Sequence, residues 1–405
     1  MNRFTRQMAS YLQQFGAVVR NEFRTIFTDG GVLLILVFAM LIYATAYSLA
    51  YGSQVLRNVP IGVVDACRTA TSRSLIETFN AGPNTYVAYE PTDMEEAREL
   101  FYGRKIYGVV YIPSDYEREL VGGSQADVAI YCDASYFLMY RQVFQELVTT
   151  IGQTGAMVEF RRLIAKGADI PQAQAVTQPV IYQSHNLFNP YLGYGTFVMP
   201  AIIIVIIQQT MLIGIGMIGG TWREHGLYRK LRPAGRGRMS TLPIVLGRAT
   251  VYALIYAVTC AYVLGLHYRM FHFPMNGQTG AVALFTAVYL AACIAMSIAV
   301  STLFRYRENS LLLLLWTSIP VLMLSGISYP REGIPEWMFA LGKLFPSSHG
   351  VNGFIRIQTM GASLGEVFAE IKWLVILTVA YGGLACIGIH QVIRREERER
   401  CGKGE

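Results

Sequence analysis

Long apolar runs alternate with polar segments along the chain. Six windows of about 20 uncharged, mostly apolar residues stand out, at residues 31–51, 195–219, 249–267, 280–303, 309–328 and 373–390. A helix needs about 20 such residues to cross a hydrocarbon core of roughly 30 Å. The pattern therefore predicts six transmembrane helices.

The segment before the first window predicts an amphipathic helix. Its apolar residues share a helical spacing and are Tyr11, Leu12, Phe15, Val18, Val19, Phe23, Ile26 and Phe27, whereas Arg20, Asn21 and Arg24 lie off this stripe. We interpret residues 1–30 as a cytoplasmic helix on the membrane surface. A soluble helix packed in a small core is the alternative, and it is disfavoured because nothing else precedes the first window for the helix to pack on.

Short apolar strands and helical segments alternate in the polar stretch 52–193. Strands are predicted near 59–65, 85–89, 107–113 and 127–131, helices near 72–79, 94–101 and 114–120, and a long helix over 135–165. Residues 169–183 are expected to be extended. This alternation predicts a compact α/β domain inserted after the first span.

Prolines and apolar residues share the segment after the fifth window. The residues that define it are Gly326, Pro330, Pro335, Trp337 and Pro346. Three prolines cannot lie inside one straight helix, yet the apolar residues from 337 to 345 keep a helical spacing. We therefore predict two short helices that dip into the outer leaflet and break near Pro346, a re-entrant loop over 328–360. A loop lying on the surface is the alternative.

The distribution of lysine and arginine predicts which side of the membrane each loop faces. They concentrate before the first window, after the second and fourth, and after the sixth, while the alternate loops hold few. The positive-inside rule then places both termini in the cytoplasm, with a cytoplasmic loop 221–242 and tail 391–405, five helices within 194–390, and the 52–193 domain outside.

With 53% hydrophobic and 15% charged residues, the net charge of +7 reflects topology and lipid attraction, not nucleic-acid binding.

The sequence predicts no catalytic, cofactor or metal site. It contains no Walker A motif and no H-E-x-x-H, and Ser348-His349 has no identifiable acidic partner. Gly214 to Gly219 matches G-x-G-x-x-G, but within an apolar span this indicates close helix packing, as does the pair Gly216 and Gly220. Cys67 and Cys132 could form a disulfide or remain two buried free thiols.

The six windows contain no Asp, Glu, Lys or Arg. Ion-coupled carriers place ionisable groups at membrane depth, so this class is disfavoured. We infer that the energy comes from a partner protein.

Three segments resemble the membrane subunits of the ABC-2 transporter family, in the subgroup with a large external domain after the first span. They are the segment Arg223 to Leu231, the entry to the second span at Asn189-Pro190 and Phe197 to Pro200, and the loop from Gly326 through Pro346 to Arg356. The strand at 61–65 and the segment 108–113 also fit that subgroup. The chain departs from the family pattern at Leu227, where Thr is common, and at 235–238.

The resemblance implies an exporter subunit in the inner membrane that moves an amphipathic drug, lipid or glycolipid. It implies a dimer with a second copy or a homologue, docked on separate ATP-binding subunits that hold the ATP, with a periplasmic adaptor and an outer-membrane channel as further partners. The coupling residues would be Arg223, Glu224, His225, Gly226, Arg229 and Leu231. A membrane scaffold or sensor whose external domain binds an envelope protein or peptide is the alternative.

Overall fold

The computed structural model describes residues 3–181, 183–228, 241–327 and 329–401. The chain forms two compact units. One comprises Val55–His185, and the other comprises Met1–Gln54 together with Asn186–Glu405. The predicted coupling residues Arg229 and Leu231 lie outside the described residues.

The unit Val55–His185 is the predicted α/β fold. Its strands are β1 (Val59–Asp65), β2 (Thr85–Tyr89), β3 (Gly108–Ile112) and β4 (Ala129–Cys132). They form one sheet in the order β2-β1-β3-β4, in which only β4 is antiparallel to its neighbour. Ile61, Val63 and Val110 are fully buried in its core with Phe79 and Leu147.

Five helices accompany this sheet. With α1 and α2 reserved for the helices that precede it, they are α3 (Ala70–Asn80), α4 (Met94–Tyr102), α5 (Tyr116–Gly122), α6 (Phe137–Ala165) and α7 (Ile170–Thr177). The extended conformation predicted for 169–183 is wrong for residues 170–177, because α7 forms there. Asp169 caps it by accepting from the Gln172 N–H at 2.9 Å, and Pro171 in the first turn suits a helix start. Cys67 and Cys132 are free thiols.

The other unit is helical. Its helices are α1 (Arg3–Thr28), α2 (Gly30–Ala50), α8 (Tyr194–Glu224), α9 (Leu242–Met270), α10 (Thr279–Ser301), α11 (Arg307–Leu324), α12 (Glu336–Gly342), α13 (Pro346–Phe354) and α14 (Phe368–Cys401). Short π-helical stretches continue α2 and α9 internally and follow α13. Among the described residues, α2, α8, α9, α10 and α14 are long and apolar enough to cross a membrane.

The fifth predicted span forms a shorter helix than expected. Helix α11 has 18 residues and begins with Arg307 and Glu308. Its uncharged part from Asn309 to Leu324 covers only about 16 residues, or about 24 Å at the helical rise. The charged first turn therefore explains why α11 is not among the five long apolar helices.

Helices α9 and α14 take in charges that the sequence windows left out. Helix α9 begins at Leu242 and includes Arg248, and α14 includes Glu370 and Lys372. The apolar windows ended at the nearest charge, whereas the helices continue past it. The predicted windows are free of charge, but the helices that contain them are not.

Helix α1 packs along α9. Val18 and Ile26 are fully buried, and a Cβ on Gly247 would lie 2.9 Å from Val18 Cγ1, so the glycine permits a close approach. The expectation that α1 has nothing to pack on is wrong, because its partner comes later in the chain. Phe23 and Phe27 remain about half exposed and stack on each other, so an apolar outer face persists.

Glycines bring α8 close to its neighbours. A Cβ on Gly214 would meet Leu36 at 2.4 Å, and one on Gly219 would meet Ser301 at 2.7 Å. A Cβ on Gly220 would lie 2.7 Å from the backbone oxygen of Tyr306. Close helix packing is thus confirmed at these positions.

An ion pair joins the start of α2 to the start of α11. Asp29 caps α2, accepting from Gly31 N–H at 3.0 Å and from Val32 N–H at 3.1 Å. Arg307 Nη2 donates to Asp29 Oδ1 at 2.9 Å, and Nη1 contacts the other oxygen. The Arg307 hydrogen bond, helped by those of Val32 and Gly31, holds the pKa of Asp29 below its ordinary value despite partial burial.

We expect this pair to stabilise the protein at neutral pH. Because the folded-state pKa of Asp29 is depressed, its contribution is complete above the ordinary Asp pKa of about 3.9 and is lost as the pH falls through the folded value. Asp29→Asn should lower the unfolding midpoint in detergent at neutral pH, and the difference from the wild type should shrink below about pH 4. A difference that stays constant with pH would contradict the assignment.

Candidate coupling site

Helix α8 ends in a tight turn at the predicted coupling segment. The Leu227 N–H donates to the Trp222 carbonyl at 2.8 Å. The Gly226 N–H donates to the Arg223 carbonyl at 3.2 Å, and Gly226 has a φ of +60°. This is a Schellman ending, in which a left-handed residue stops the helix. Glycine is needed here because other residues rarely adopt that φ.

This geometry corrects one expectation. The second predicted span ends at residue 219, but Arg223 and Glu224 still belong to the last turn of the long helix α8. The apolar run ends at Thr221, so the sequence pattern placed the helix boundary too early. A displacement at Glu224 would therefore act directly on a helix that runs through the core.

The side chains of this turn point in different directions. Glu224 and His225 are exposed. Arg223 is half-buried, and its Nη1 donates to the Thr302 carbonyl at the end of α10, at 3.1 Å. The structure thus separates Glu224 and His225, which are free to meet another protein, from Arg223, which is held inside the unit.

Two aromatic residues flank the turn on its buried side. Trp222 and Tyr228 are buried, and their rings meet edge to face with centroids 5.5 Å apart. The guanidinium of Arg248 lies over the Trp222 ring, 5.2 Å from its centroid, and 6.0 Å from that of Tyr228. Such cation–π contacts stabilise a buried cation.

Arg248 forms an ion pair with Glu22 of α1. Arg248 Nε donates to Glu22 Oε1 at 2.9 Å, and both side chains are 0% exposed. Arg248 also donates to the hydroxyl oxygens of Tyr228 at 3.4 Å and Tyr252 at 3.5 Å, and the Tyr252 hydroxyl donates to Glu22 Oε1. We call Glu22, Trp222, Tyr228, Arg248 and Tyr252 the Glu22–Arg248 cluster.

The Glu22–Arg248 cluster connects three elements at the coupling turn. Glu22 comes from α1, Trp222 and Tyr228 flank the end of α8, and Arg248 and Tyr252 come from α9. Desolvating both ions costs several kcal/mol each, and their attraction repays this only when the geometry is good. A buried pair is weak evidence for stability, but it fixes which side chains can meet.

Sequence reasoning missed this cluster. Glu22 lies four residues after Val18 and four before Ile26, on the face that α1 buries. That spacing was the only local signal for the burial of Glu22, because a glutamate in an amphipathic helix ordinarily lies on the solvent-exposed face. The partner Arg248 is 226 residues away, beside an apolar window.

The residues of the predicted re-entrant loop mark the ends of short elements. Gly326 has a φ of +85° after α11, Pro330 precedes a 3₁₀ turn at Arg331–Gly333, and Pro335 directly precedes α12. Pro346 opens α13, so the two short helices and the break between them form where the sequence predicts. Trp337 on α12 is 67% exposed.

Helix α13 lies deep among the long helices. Gln208 Oε1 accepts from the Ser347 N–H at 2.7 Å and so caps its first turn. Gln208 lies 14 residues from the start of α8, about 21 Å along that helix. A Cβ on Gly350 would lie 2.4 Å from the Tyr289 ring, and one on Gly353 would lie 2.3 Å from the Phe285 ring. These glycines allow α13 to pack closely on α10.

Ser348 and His349 have structural contacts. The Ser348 hydroxyl donates to the Leu324 carbonyl at 3.2 Å. His349 Nε2 lies 3.0 Å from the Lys343 carbonyl oxygen, and its ring stacks on Trp373 with centroids 5.8 Å apart. Within the described ranges, no group of three or more His, Cys, Asp or Glu could hold a metal ion.

Comparison with known proteins gives consistent results. The chain is similar to the "Probable multidrug ABC transporter permease YbhR" of Escherichia coli K12, with 21% identity over 372 residues, 91% of this chain and 96% of that protein. It is also similar to the "Inner membrane transport permease YhhJ" of the same strain, with 25% identity over 385 residues, 92% of this chain and 96% of that protein.

A more distant relative is the "ABC transporter G family member 20" of Dictyostelium discoideum, with 21% identity over 89% of this chain and 48% of that protein. Residues 30–387 match the profile of a family described as ABC-2 family transporter protein. This match includes the α/β unit and every long apolar helix in whole or in large part. The chain therefore belongs to the ABC-2 transporter family, as a membrane subunit of an ABC transporter.

Proposed function

We propose that this chain is the membrane subunit of an ATP-driven exporter in the inner membrane. It moves an amphipathic substrate, such as a drug, lipid or glycolipid, out of the cytoplasm or the membrane. The ATP is bound and hydrolysed by a separate cassette subunit. Two copies, or one copy and a homologue, form the working unit, and a periplasmic adaptor and an outer-membrane channel are further partners.

The Glu22–Arg248 cluster is the observation that supports this proposal most strongly. It joins α1 and α9 at the turn where α8 exposes Glu224 and His225. Because interior side chains pack at the density of organic crystals, such a joint transmits displacement with little loss. A cassette that pushes on Glu224 would therefore move α1, α8 and α9 together.

The proposed orientation of the chain in the membrane follows from the charged loops. Both termini and the coupling turn face the cytoplasm, where a cassette subunit is available. The α/β unit and the loop from Gly326 to Arg356 then face outward, and α13 forms the re-entrant part of that loop. The depth of Ser347 beside Gln208 supports the re-entrant assignment.

Glu224→Ala tests the coupling role. We expect export and stimulation of the cassette ATPase to fall by at least tenfold, because the exposed carboxylate would contact the cassette in every cycle. Glu336→Ala is the matched control, since Glu336 is equally exposed on α12, in the loop that faces outward. Measurements use the copurified complex in proteoliposomes.

Unchanged transport and ATPase stimulation in Glu224→Ala would refute the coupling role. Failure of the wild-type chain to copurify with any cassette subunit would instead favour the scaffold or sensor function. The two results can be told apart, because transport and ATPase stimulation are measured only on a complex that contains the cassette subunit.

A further inference from the structure

A pocket opens beside the coupling turn, where α8, α10 and α14 end together. Its volume is about 480 Å³. Arg223 and Arg395 line it together with Thr302, and Leu303, Leu384 and Ile387 form apolar walls. The pocket thus combines two cations with an apolar surface.

The two arginines give the pocket its charge. Arg223 is held in place by a 3.1 Å hydrogen bond from its Nη1 to the Thr302 carbonyl, and a guanidinium carries further N–H donors. Arg395 is exposed on α14. No acidic side chain lines the pocket among the residues that the structure describes. An anionic group is therefore the complementary ligand.

The apolar walls continue away from the arginines along one side of the unit. Leu303 is 75% exposed, Ile387 56% and Leu384 54%. Leu384 lies 11 residues before Arg395 on α14, about 16 Å along the helix. This is about half of a hydrocarbon core of roughly 30 Å, the depth of one leaflet.

The geometry points to an anionic phospholipid as the occupant of this pocket. Its phosphate lies between Arg223 and Arg395, and one acyl chain runs along Leu384 and Ile387. Basic pockets between membrane helices on the cytoplasmic side recognise such head groups. A free phosphate would leave the apolar walls uncovered, so we commit to a lipid of the cytoplasmic leaflet. This placement rests on the orientation in the proposed function.

A bound lipid would also act on the coupling turn. Arg223 directly precedes Glu224 in the last turn of α8. A phosphate that holds Arg223 restrains that turn while Glu224 stays exposed. The lipid is thus a positioning ligand for the proposed cassette contact.

Native mass spectrometry of the full chain released from nanodiscs tests this binding. The nanodiscs contain phosphatidylglycerol and phosphatidylcholine with the same acyl chains. We expect the wild type to retain phosphatidylglycerol preferentially. Arg395→Gln should reduce that retention about fivefold, the effect of removing one cation near a membrane surface. Arg395→Lys keeps the charge and should restore most of it.

Arg394→Gln is the matched control, because it removes the same charge one residue away, from a side chain that does not line the pocket. It should leave retention unchanged. Leu384→Asn should also lower retention, which free phosphate binding would not predict. Unfolding midpoints in detergent show that each variant is folded.

Equal losses in Arg394→Gln and Arg395→Gln would overturn the proposal, since they would indicate general attraction to the membrane. Equal retention of both lipids by the wild type would also overturn it. A third result would overturn it as well: Arg395→Gln retains as much lipid as the wild type but no longer forms the dimer. That result would mean that a second copy of the chain covers the pocket. Retention is measured without a cassette, so its outcome is independent of Glu224→Ala.

Discussion

Arg248→Met should lower the free energy of unfolding by about 3–5 kcal/mol, because it leaves Glu22 buried without its partner. Glu22 is fully buried, and Arg248 provides its only guanidinium contact among the described residues. Urea unfolding in detergent micelles measures this loss. Arg118→Met is the control, because the Arg118–Asp115 pair is exposed, and its loss should cost less than about 1 kcal/mol.

The double variant Glu22→Leu/Arg248→Met separates stability from coupling. Replacing both ions with apolar residues of similar size is often neutral or stabilising, so most of the unfolding free energy should return. Stimulation of the cassette ATPase should be lower than with the wild type, since the contacts from Arg248 to Tyr228 and Trp222 are gone. If the double variant recovers both the unfolding free energy and the stimulation of the cassette ATPase, the Glu22–Arg248 cluster contributes to packing and not to coupling.

Gly350→Val should have the second large effect. A Cβ at this position would lie 2.4 Å from Tyr289 Cε2 and 3.1 Å from Ile204 Cγ2. The Tyr289 hydroxyl donates to the Ile204 carbonyl at 2.6 Å, so the ring cannot move aside without losing that bond. We expect a loss of about 1–3 kcal/mol of unfolding free energy, typical of an overpacked core, and impaired export.

Gly265→Val is the matched control for this substitution. Gly265 is a helical glycine like Gly350, but a Cβ there would meet nothing within 4 Å. The control should unfold at the same urea concentration as the wild type. Equal behaviour of the two valine variants would mean that α13 can shift freely against α10.

The α/β unit could be predicted almost completely from the sequence. Its strands are short β-branched runs such as Val59–Asp65, bounded by turn residues and separated by amphipathic helices. Each of these signals is local. The exception is α7, where Asp169 and Pro171 form a helix start that an overall polar composition concealed.

In the helical unit, the described helices follow the order that the sequence predicts, but five of them rather than six are long and apolar enough to cross a membrane, and their ends differ from the predicted ones. A hydropathy window stops at the first charge, whereas a helix continues when that charge finds a partner. Arg248 finds Glu22, and Glu370 accepts from Arg356 at 3.2 Å, so both remain within helices. Arg223 and Glu224, two of the residues predicted for coupling, lie in the last turn of α8, but the buried cluster behind them depends on contacts between distant segments.

The length of α8 has a mechanical consequence. Its 31 residues extend about 46 Å, well beyond a hydrocarbon core of roughly 30 Å. One end is tied to Gln54, whose backbone and side-chain oxygens accept from Tyr194 and Thr196, and the other end is embedded beside Arg248. Pro200, within this helix, removes one backbone hydrogen bond and so lowers the resistance of the helix to bending at that point. An axial load applied at Glu224 would therefore be converted into bending close to the opposite end of the helix.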